Sequence, residues 1–131
     1  MLTRTIKIVF LVISIVPLTL LGQQVLKPQE AFPVSISYQN NVLQITHEIQ
    51  TGYYLYKDKI SYVALNNDFE LGEIKLPNGI EYSDEFFGNT EIYRSSFSHY
   101  IPITIINESM DRFNIEVNSQ GCADIGLCYP P

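Results

Sequence analysis

Phe32-Pro33-Val34-Ser35-Ile36-Ser37-Tyr38-Gln39-Asn40-Asn41-Val42-Leu43-Gln44-Ile45-Thr46-His47-Glu48-Ile49 is the stretch that decides the fold class. Val34, Ile36 and Tyr38 alternate with polar residues, Asn40-Asn41 interrupts, and Leu43, Ile45, His47 and Ile49 alternate on the return. A period of two on both sides of a turn is the pattern of a β-hairpin with one buried face. Outward from this hairpin the same texture continues. Thr51-Gly52 breaks the chain, residues 53–57 and 60–65 read as strand material, and Asn66-Asn67-Asp68 turns again. Residues 69–76 run into Pro77-Asn78-Gly79, a strong turn signal, before residues 80–82. Residues 97–106 are strand-like, with Pro102 marking an edge or a bulge, and residues 112–119 alternate through Phe113, Ile115 and Val117. No helix is expected. Turn signals at intervals of about 8–12 residues in such a chain predict one all-β domain, an antiparallel β-sandwich.

The amino terminus reads differently. Residues 1–7 carry Arg4 and Lys7 and no acid, and residues 8–21 are an almost unbroken apolar run ending at Gly22. This is the layout of a signal peptide over residues 1–22, followed by a domain over 23–131. A membrane-spanning helix needs roughly 20 apolar residues, and Pro17 interrupts a run of only about 14. Cleavage is expected near Gly22 or Gln23, although Leu20 is not the usual small residue before such a site. Loss of Arg4 and Lys7 takes the net charge from −6 to −8. An acidic domain without a basic stripe repels phosphate backbones, so nucleic acid is not an expected partner.

The two cysteines lie in the last twelve residues, Gln120-Gly121-Cys122-Ala123-Asp124-Ile125-Gly126-Leu127-Cys128-Tyr129-Pro130-Pro131. Gly121 and Gly126 allow the backbone to bend, so the thiols can meet in one disulfide. In an exported domain that bridge is a structural staple or a redox reagent. A loop so short constrains the unfolded chain weakly, by about 2 kcal/mol, which makes it a poor staple. Two further segments depart from the strand pattern. Gly52-Tyr53-Tyr54-Leu55-Tyr56 crowds three tyrosines around one leucine, compatible with aromatic cross-strand packing. Ser83-Asp84-Glu85-Phe86-Phe87-Gly88-Asn89 puts two phenylalanines in a loop, where they either anchor it to the core or cover something.

These stretches, with Glu91-Ile92-Tyr93-Arg94, resemble the amino-terminal periplasmic domain of the thiol:disulfide interchange protein DsbD, in the family's order and across residues 26–131. The resemblance implies an immunoglobulin-like fold and an electron carrier of the bacterial periplasm. Its donor would be the thioredoxin-like carboxy-terminal domain of DsbD. Its acceptors would be thioredoxin-fold proteins that isomerise disulfides or serve cytochrome c maturation. It also implies site residues. Cys122 and Cys128 would be the catalytic pair, with Cys128 forming the mixed disulfide. Phe86 would cap the pair, with Asp84, Glu85, Phe87 and Gly88 completing the cap loop. Tyr54 and Tyr56 would line the site. No cofactor beyond the cysteines is implied. Domains of this family continue past the Tyr-Pro-Pro with another strand, so the sequence is expected to be truncated or a one-domain version. In the latter case Cys128 would sit near a mobile end.

The chemistry fits that implication. Exchange proceeds by thiolate attack on a disulfide sulfur, so the exposed sulfur decides the reaction, and an aromatic lid would slow stray oxidants. Asp124 is the single charge within the cysteine segment, so nothing local is expected to depress a thiol pKa. Asp84 and Glu85 could assist proton transfer, against the plainer reading of solvated loop carboxylates. His47 and His99 could in principle join the cysteines around zinc, but the cysteine spacing is too wide for the usual knuckle. Partly buried strand histidines suffice, and no metal is expected. The rival to an exchange protein is a non-enzymatic exported β-sandwich interaction module with a purely structural disulfide.

Overall fold

The structure, a computed structural model, describes residues 24–131; the expected signal segment lies outside the described residues. Its strands are β1 (Val34–Gln39), β2 (Val42–His47), β3 (Tyr53–Tyr56), β4 (Ser61–Ala64), β5 (Phe69–Leu71), β6 (Ile80–Asp84), β7 (Gly88–Tyr93), β8 (Phe97–Ile105), β9 (Ile115–Asn118), β10 (Gly121–Ala123) and β11 (Leu127–Cys128). One sheet runs β1-β2-β8-β5, a second runs β11-β10-β3-β7-β6, and β4 pairs with β9. Every pairing is antiparallel.

The opening hairpin forms where its alternation predicts. Asn40 and Asn41 both adopt positive φ, 51° and 60°, which makes a two-residue turn whose twist matches the strands. Leu43, Ile45 and His47 of β2 are buried. Val34, Ile36 and Tyr38, opposite them across the ladder, are 38–43% exposed because β1 is the edge of its sheet. The buried face therefore belongs to β2 more than to the hairpin as a whole.

Several expectations are corrected. A four-residue helix, α1 (Pro28–Ala31), precedes β1, with Pro28 at its start and the Glu30 carboxylate accepting from the Lys27 N–H. A 3₁₀ turn, Lys57–Lys59, follows β3. Pro102, expected to mark an edge or a bulge, does not lie on an edge strand, since β8 runs between β2 and β5. It sits inside β8 where that strand's partner changes, pairing with Val42 at the end of β2 while Ile103 pairs with Leu71 of β5. A missing N–H is tolerated at such a junction. Only residues 69–71 of the 69–76 stretch are strand, and residues 72–79 cross to the second sheet, where the Tyr93 hydroxyl donates to the Pro77 carbonyl over 2.5 Å.

The two sheets share one core. Leu43 and Ile45 of β2, Ile101 and Ile103 of β8, Phe69 of β5, Leu55 of β3, Tyr62 of β4 and Tyr93 of β7 pack into a single buried cluster, which makes the domain an antiparallel sandwich. Each fully buried aliphatic side chain here stabilises by roughly 1.5–3 kcal/mol. One such residue matches the short disulfide's contribution of about 2 kcal/mol. The bridge therefore contributes on the scale of one core side chain among many.

Candidate functional site

β3 positions the site. It is the middle strand of the second sheet, between β10 and β7, and Tyr54, Leu55 and Tyr56 are all buried. Covered on both faces, it lacks the polar alternation of a half-buried strand, which is why its sequence looked irregular. Leu55 faces the main core, while Tyr54 and Tyr56 join Ile92 and Cys122 in a second, smaller cluster. The functional site is thus built on the outer face of the sheet.

The cysteine segment folds into a hairpin on β3. Cys122 pairs with Tyr54 and Gly121 with Leu55, and β11 returns so that Cys122 lies opposite Cys128 with Cα atoms 4.0 Å apart. The two sulfurs are joined in a disulfide. Asp124-Ile125-Gly126 makes the turn, closed by the Gly126 N–H donating to the Ala123 carbonyl over 3.0 Å, with Gly126 at φ 93°. Gly121 is required for a different reason. A Cβ there would meet Phe32 Cζ at 2.6 Å and also the Tyr54 carbonyl, so only glycine lets β10 lie this close to β3. Beyond the pair, Tyr129 is buried, its N–H donates to the Gly121 carbonyl, and its hydroxyl donates to the Leu26 carbonyl over 2.5 Å.

The two sulfurs are not equivalent. Cys122 is 1% exposed, whereas Cys128 is partly accessible. The Tyr56 hydroxyl lies 3.2 Å from Cys122 Sγ and donates to the Asp84 carboxylate in a short hydrogen bond. Burial, then the bond to Asp84, pushes the Tyr56 hydroxyl well above the ordinary phenol range, so it keeps its proton. Desolvation alone would raise Asp84, but the Tyr56 hydroxyl and the backbone amides of Phe87, Phe86 and Gly88 all donate to it and hold it below the usual carboxylate range. Asp84 is therefore an ionised acceptor fixed inside a network, not a solvated bystander. Glu85, by contrast, is exposed.

The stretch 83–89 is less a loop than the tip of the β6–β7 hairpin, with Asp84 paired to Gly88. The Asp84 side chain accepts from the N–H groups of Phe86 (3.0 Å) and Phe87 (2.6 Å), and Gly88 takes φ 68°. Aspartate before and left-handed glycine after are what such a turn requires. The two phenylalanines part company. Phe87 packs edge-on against Tyr56, 4.7 Å between centroids, and carries Lys59 Nζ 4.8 Å above its ring. Phe86 is 51% exposed and lines a groove with Tyr54, Asp84, Ala123, Asp124 and Gly126, directly across from the cysteine turn. Neither ring anchors the tip to the main core.

Sequence reasoning missed Arg94. Its Nη1 donates to Asp124 Oδ1 over 2.7 Å, and its guanidinium carbon stands 4.9 Å from the Tyr54 ring and 5.4 Å from that of Tyr82. The cysteine segment thus has a cation beside it in space that it lacks in sequence. Only strand pairing brings residues 94 and 124 together, so spacing gave no signal. His47 and His99 do not approach the cysteines. They are 0% and 4% exposed in the core, deeper than expected, and the Tyr62 hydroxyl lies 2.6 Å from Nε2 of each.

This fold and site define a class: an antiparallel sandwich of immunoglobulin type that carries a disulfide-bonded cysteine hairpin, Cys122 buried and Cys128 partly exposed, across a groove from an aromatic turn. The family described as "Thiol:disulfide interchange protein DsbD, N-terminal" matches residues 22–131, and the chain belongs to it. DsbD of Vibrio cholerae is 40% identical over 102 residues, covering 78% of this chain and 16% of that protein. DsbD of Citrobacter koseri is 36% identical over 108 residues, covering 82% and 18%. The chain therefore spans under a fifth of the length of these relatives. The reduced DsbD amino-terminal domain of Neisseria meningitidis superposes with a TM-score of 0.68 at 29% identity, covering 81% of this chain and 82% of that one. The complex of the same domain with the PilB amino-terminal domain matches with a TM-score of 0.64 at 27% identity, covering 84% of each.

Proposed function

We propose that this is a periplasmic thiol–disulfide exchange domain, exported by its amino-terminal segment with a mature chain from about residue 23, in which Cys122 and Cys128 carry two electrons without any other cofactor. The observation that carries the reading is the asymmetry of the pair: Cys128 is accessible, while Cys122 is sealed against a protonated tyrosine.

The cycle runs through Cys128 in both directions. A donor thiolate attacks Cys128 Sγ, forming a mixed disulfide and expelling Cys122 as thiolate; the donor's second thiolate then releases Cys128 and leaves the donor oxidised. The Tyr56 hydroxyl stands 3.2 Å from the departing Cys122 sulfur, and as charge develops there it turns its one hydrogen from the Asp84 carboxylate to the thiolate without giving up the proton. In the other direction the Cys128 thiolate attacks an acceptor disulfide, and Cys122 resolves the mixed species, returning the pair to the disulfide with the acceptor reduced. Phe86 shields the accessible side between encounters. The donor is the thioredoxin-like domain of DsbD, and the acceptors are thioredoxin-fold disulfide isomerases and cytochrome c maturation proteins. The neisserial domain's complex with the PilB amino-terminal domain supports a face suited to docking a partner domain.

Trapping tests the reading. Cys122→Ala and Cys128→Ala are each incubated with a thioredoxin-fold partner that lacks its resolving cysteine and carries its remaining thiol as an activated mixed disulfide. A covalent complex with Cys122→Ala and much less with Cys128→Ala is expected. No complex with either variant would leave the bridge as a staple in an interaction module.

A further inference from the structure

We propose that Arg94 is a positioning residue that clamps the turn of the cysteine hairpin to the sheet, so that in the reduced pair Cys128, and not Cys122, meets an incoming disulfide. The proposal rests on the exchange reading above and adds to it what keeps the two sulfurs unequal once the bond between them is gone.

The hairpin is slight. Strands β10 and β11 share two residue pairs, Cys122 with Cys128 and Ala123 with Leu127. The turn, residues 124–126, is exposed. Its ties to the rest of the domain are the Asp124 N–H donating to the Gly52 carbonyl over 2.8 Å and the Asp124 carboxylate accepting from Arg94 over 2.7 Å. In the disulfide state the covalent bond holds β11 against β10 regardless. Reduction breaks that S–S bond with two electrons and two protons, here from dithiothreitol or a partner dithiol, and leaves two thiols that no longer restrain each other. The Arg94–Asp124 pair then becomes the side-chain contact that keeps the turn docked, with Cys122 covered.

An exposed ion pair alone contributes little. Arg94 differs because its planar fork already rests against Tyr54 and Tyr82, whose rings are 5.3 Å apart, so little freedom is lost on pairing with Asp124. Tyr54 in turn packs 5.4 Å from Tyr56, whose hydroxyl touches Cys122 Sγ. The clamp and the sulfur it protects are thus joined through two rings. A lysine could supply the charge but not the planar stack.

The test labels the reduced protein briefly with neutral iodoacetamide after dithiothreitol is removed, and reads modification of each cysteine by mass spectrometry. In the wild type Cys128 is labelled well ahead of Cys122. Arg94→Met and Asp124→Asn each raise Cys122 labelling about five- to tenfold, and Arg94→Lys falls between. The double variant Arg94→Met/Asp124→Asn adds little to either single change, because both remove one contact. Salt at about 1 M reproduces the rise in the wild type and leaves Asp124→Asn unchanged, since the pair is solvent-accessible and screened. Cys122 labelling that stays within about twofold of wild type in Asp124→Asn, or that is fully additive in the double variant, overturns the clamp. Should Arg94→Met fail to fold, Asp124→Asn and the salt series decide alone. If labelling responds as described but no partner is trapped, the exchange reading fails and the clamp stands; trapping with an unresponsive labelling ratio sinks the clamp alone.

Discussion

Two tyrosine hydroxyls in this domain each touch two polar groups in buried surroundings, with opposite consequences. Tyr62 lies 2.6 Å from Nε2 of both His47 and His99, and all three residues are buried in the sandwich core. Tyr56 lies between Asp84 and Cys122, and that cluster opens to solvent through Cys128 and the β6–β7 turn. The chemistry of the hydroxyl is the same. What differs is whether a neighbour can change its bonding. At Tyr62 nothing can: the hydroxyl has one hydrogen, so one histidine accepts it and the other must donate its own Nε2–H. The arrangement is locked, and Nδ1 of both rings is buried without a partner. At Tyr56 a covalent bond beside the hydroxyl can break, and an ionised carboxylate holds the hydroxyl in place while it does. A sealed network stabilises; the same network with one exit can work.

The comparison breaks first if Tyr62 proves dispensable. Tyr62→Phe leaves two buried imidazole nitrogens unpaired and should cost about 2–5 kcal/mol in urea unfolding, with exchange activity of the folded fraction intact. A loss below about 0.5 kcal/mol would show that the histidines find other partners.

Protonation sharpens it next. Burial, then the neighbouring His99, lowers His47 from 6.5 to about 4, and burial lowers His99 as well. The unfolded chain therefore binds more protons than the folded one between pH 6.5 and about 4. Stability is fully present above pH 6.5 and falls as pH drops through that window, by roughly 3 kcal/mol for His47 alone. Urea midpoints measured from pH 7 to 4 check this, and His47→Leu should flatten the slope.

Tyr56→Phe should behave in the opposite sense to Tyr62→Phe. Exchange should slow about tenfold or more, because Cys122 leaves without a hydrogen-bond donor for its developing thiolate, while stability falls by only about 1 kcal/mol. A stability loss as large as at Tyr62 with unchanged exchange would erase the distinction between the clusters. The smallest effect is expected at Phe86. Phe86→Ala should speed reduction of the disulfide by a small thiol roughly two- to threefold without altering stability, since the ring is half exposed.

Much of this was legible in the sequence. The period of two through Leu43, Ile45 and His47 gave the first hairpin, and Asn40-Asn41 gave its turn, because left-handed asparagine pairs are what short hairpins use. The cysteine segment and the Asp84–Gly88 stretch announced themselves by composition. Three things were hidden, each for a physical reason. β7 starts at the exposed turn and only its last residues are buried, so it lacks the alternation that marks a half-buried strand. Pro102 reads as an edge signal, yet a strand that changes partners offers an interior position with the same tolerance. Arg94–Asp124 and His47–Tyr62–His99 are contacts between residues far apart in sequence, and no local pattern encodes such a meeting.

The measurement that tests the central claim most directly is the reduction potential of the Cys122–Cys128 pair, read by equilibrating the purified protein in dithiothreitol or glutathione buffers and counting alkylated thiols. An exchanging pair should lie above about −300 mV, within reach of thioredoxin-fold donors. A value clearly below about −300 mV, with the folded protein resisting mild reductant, would make the bridge a structural staple and contradict the account.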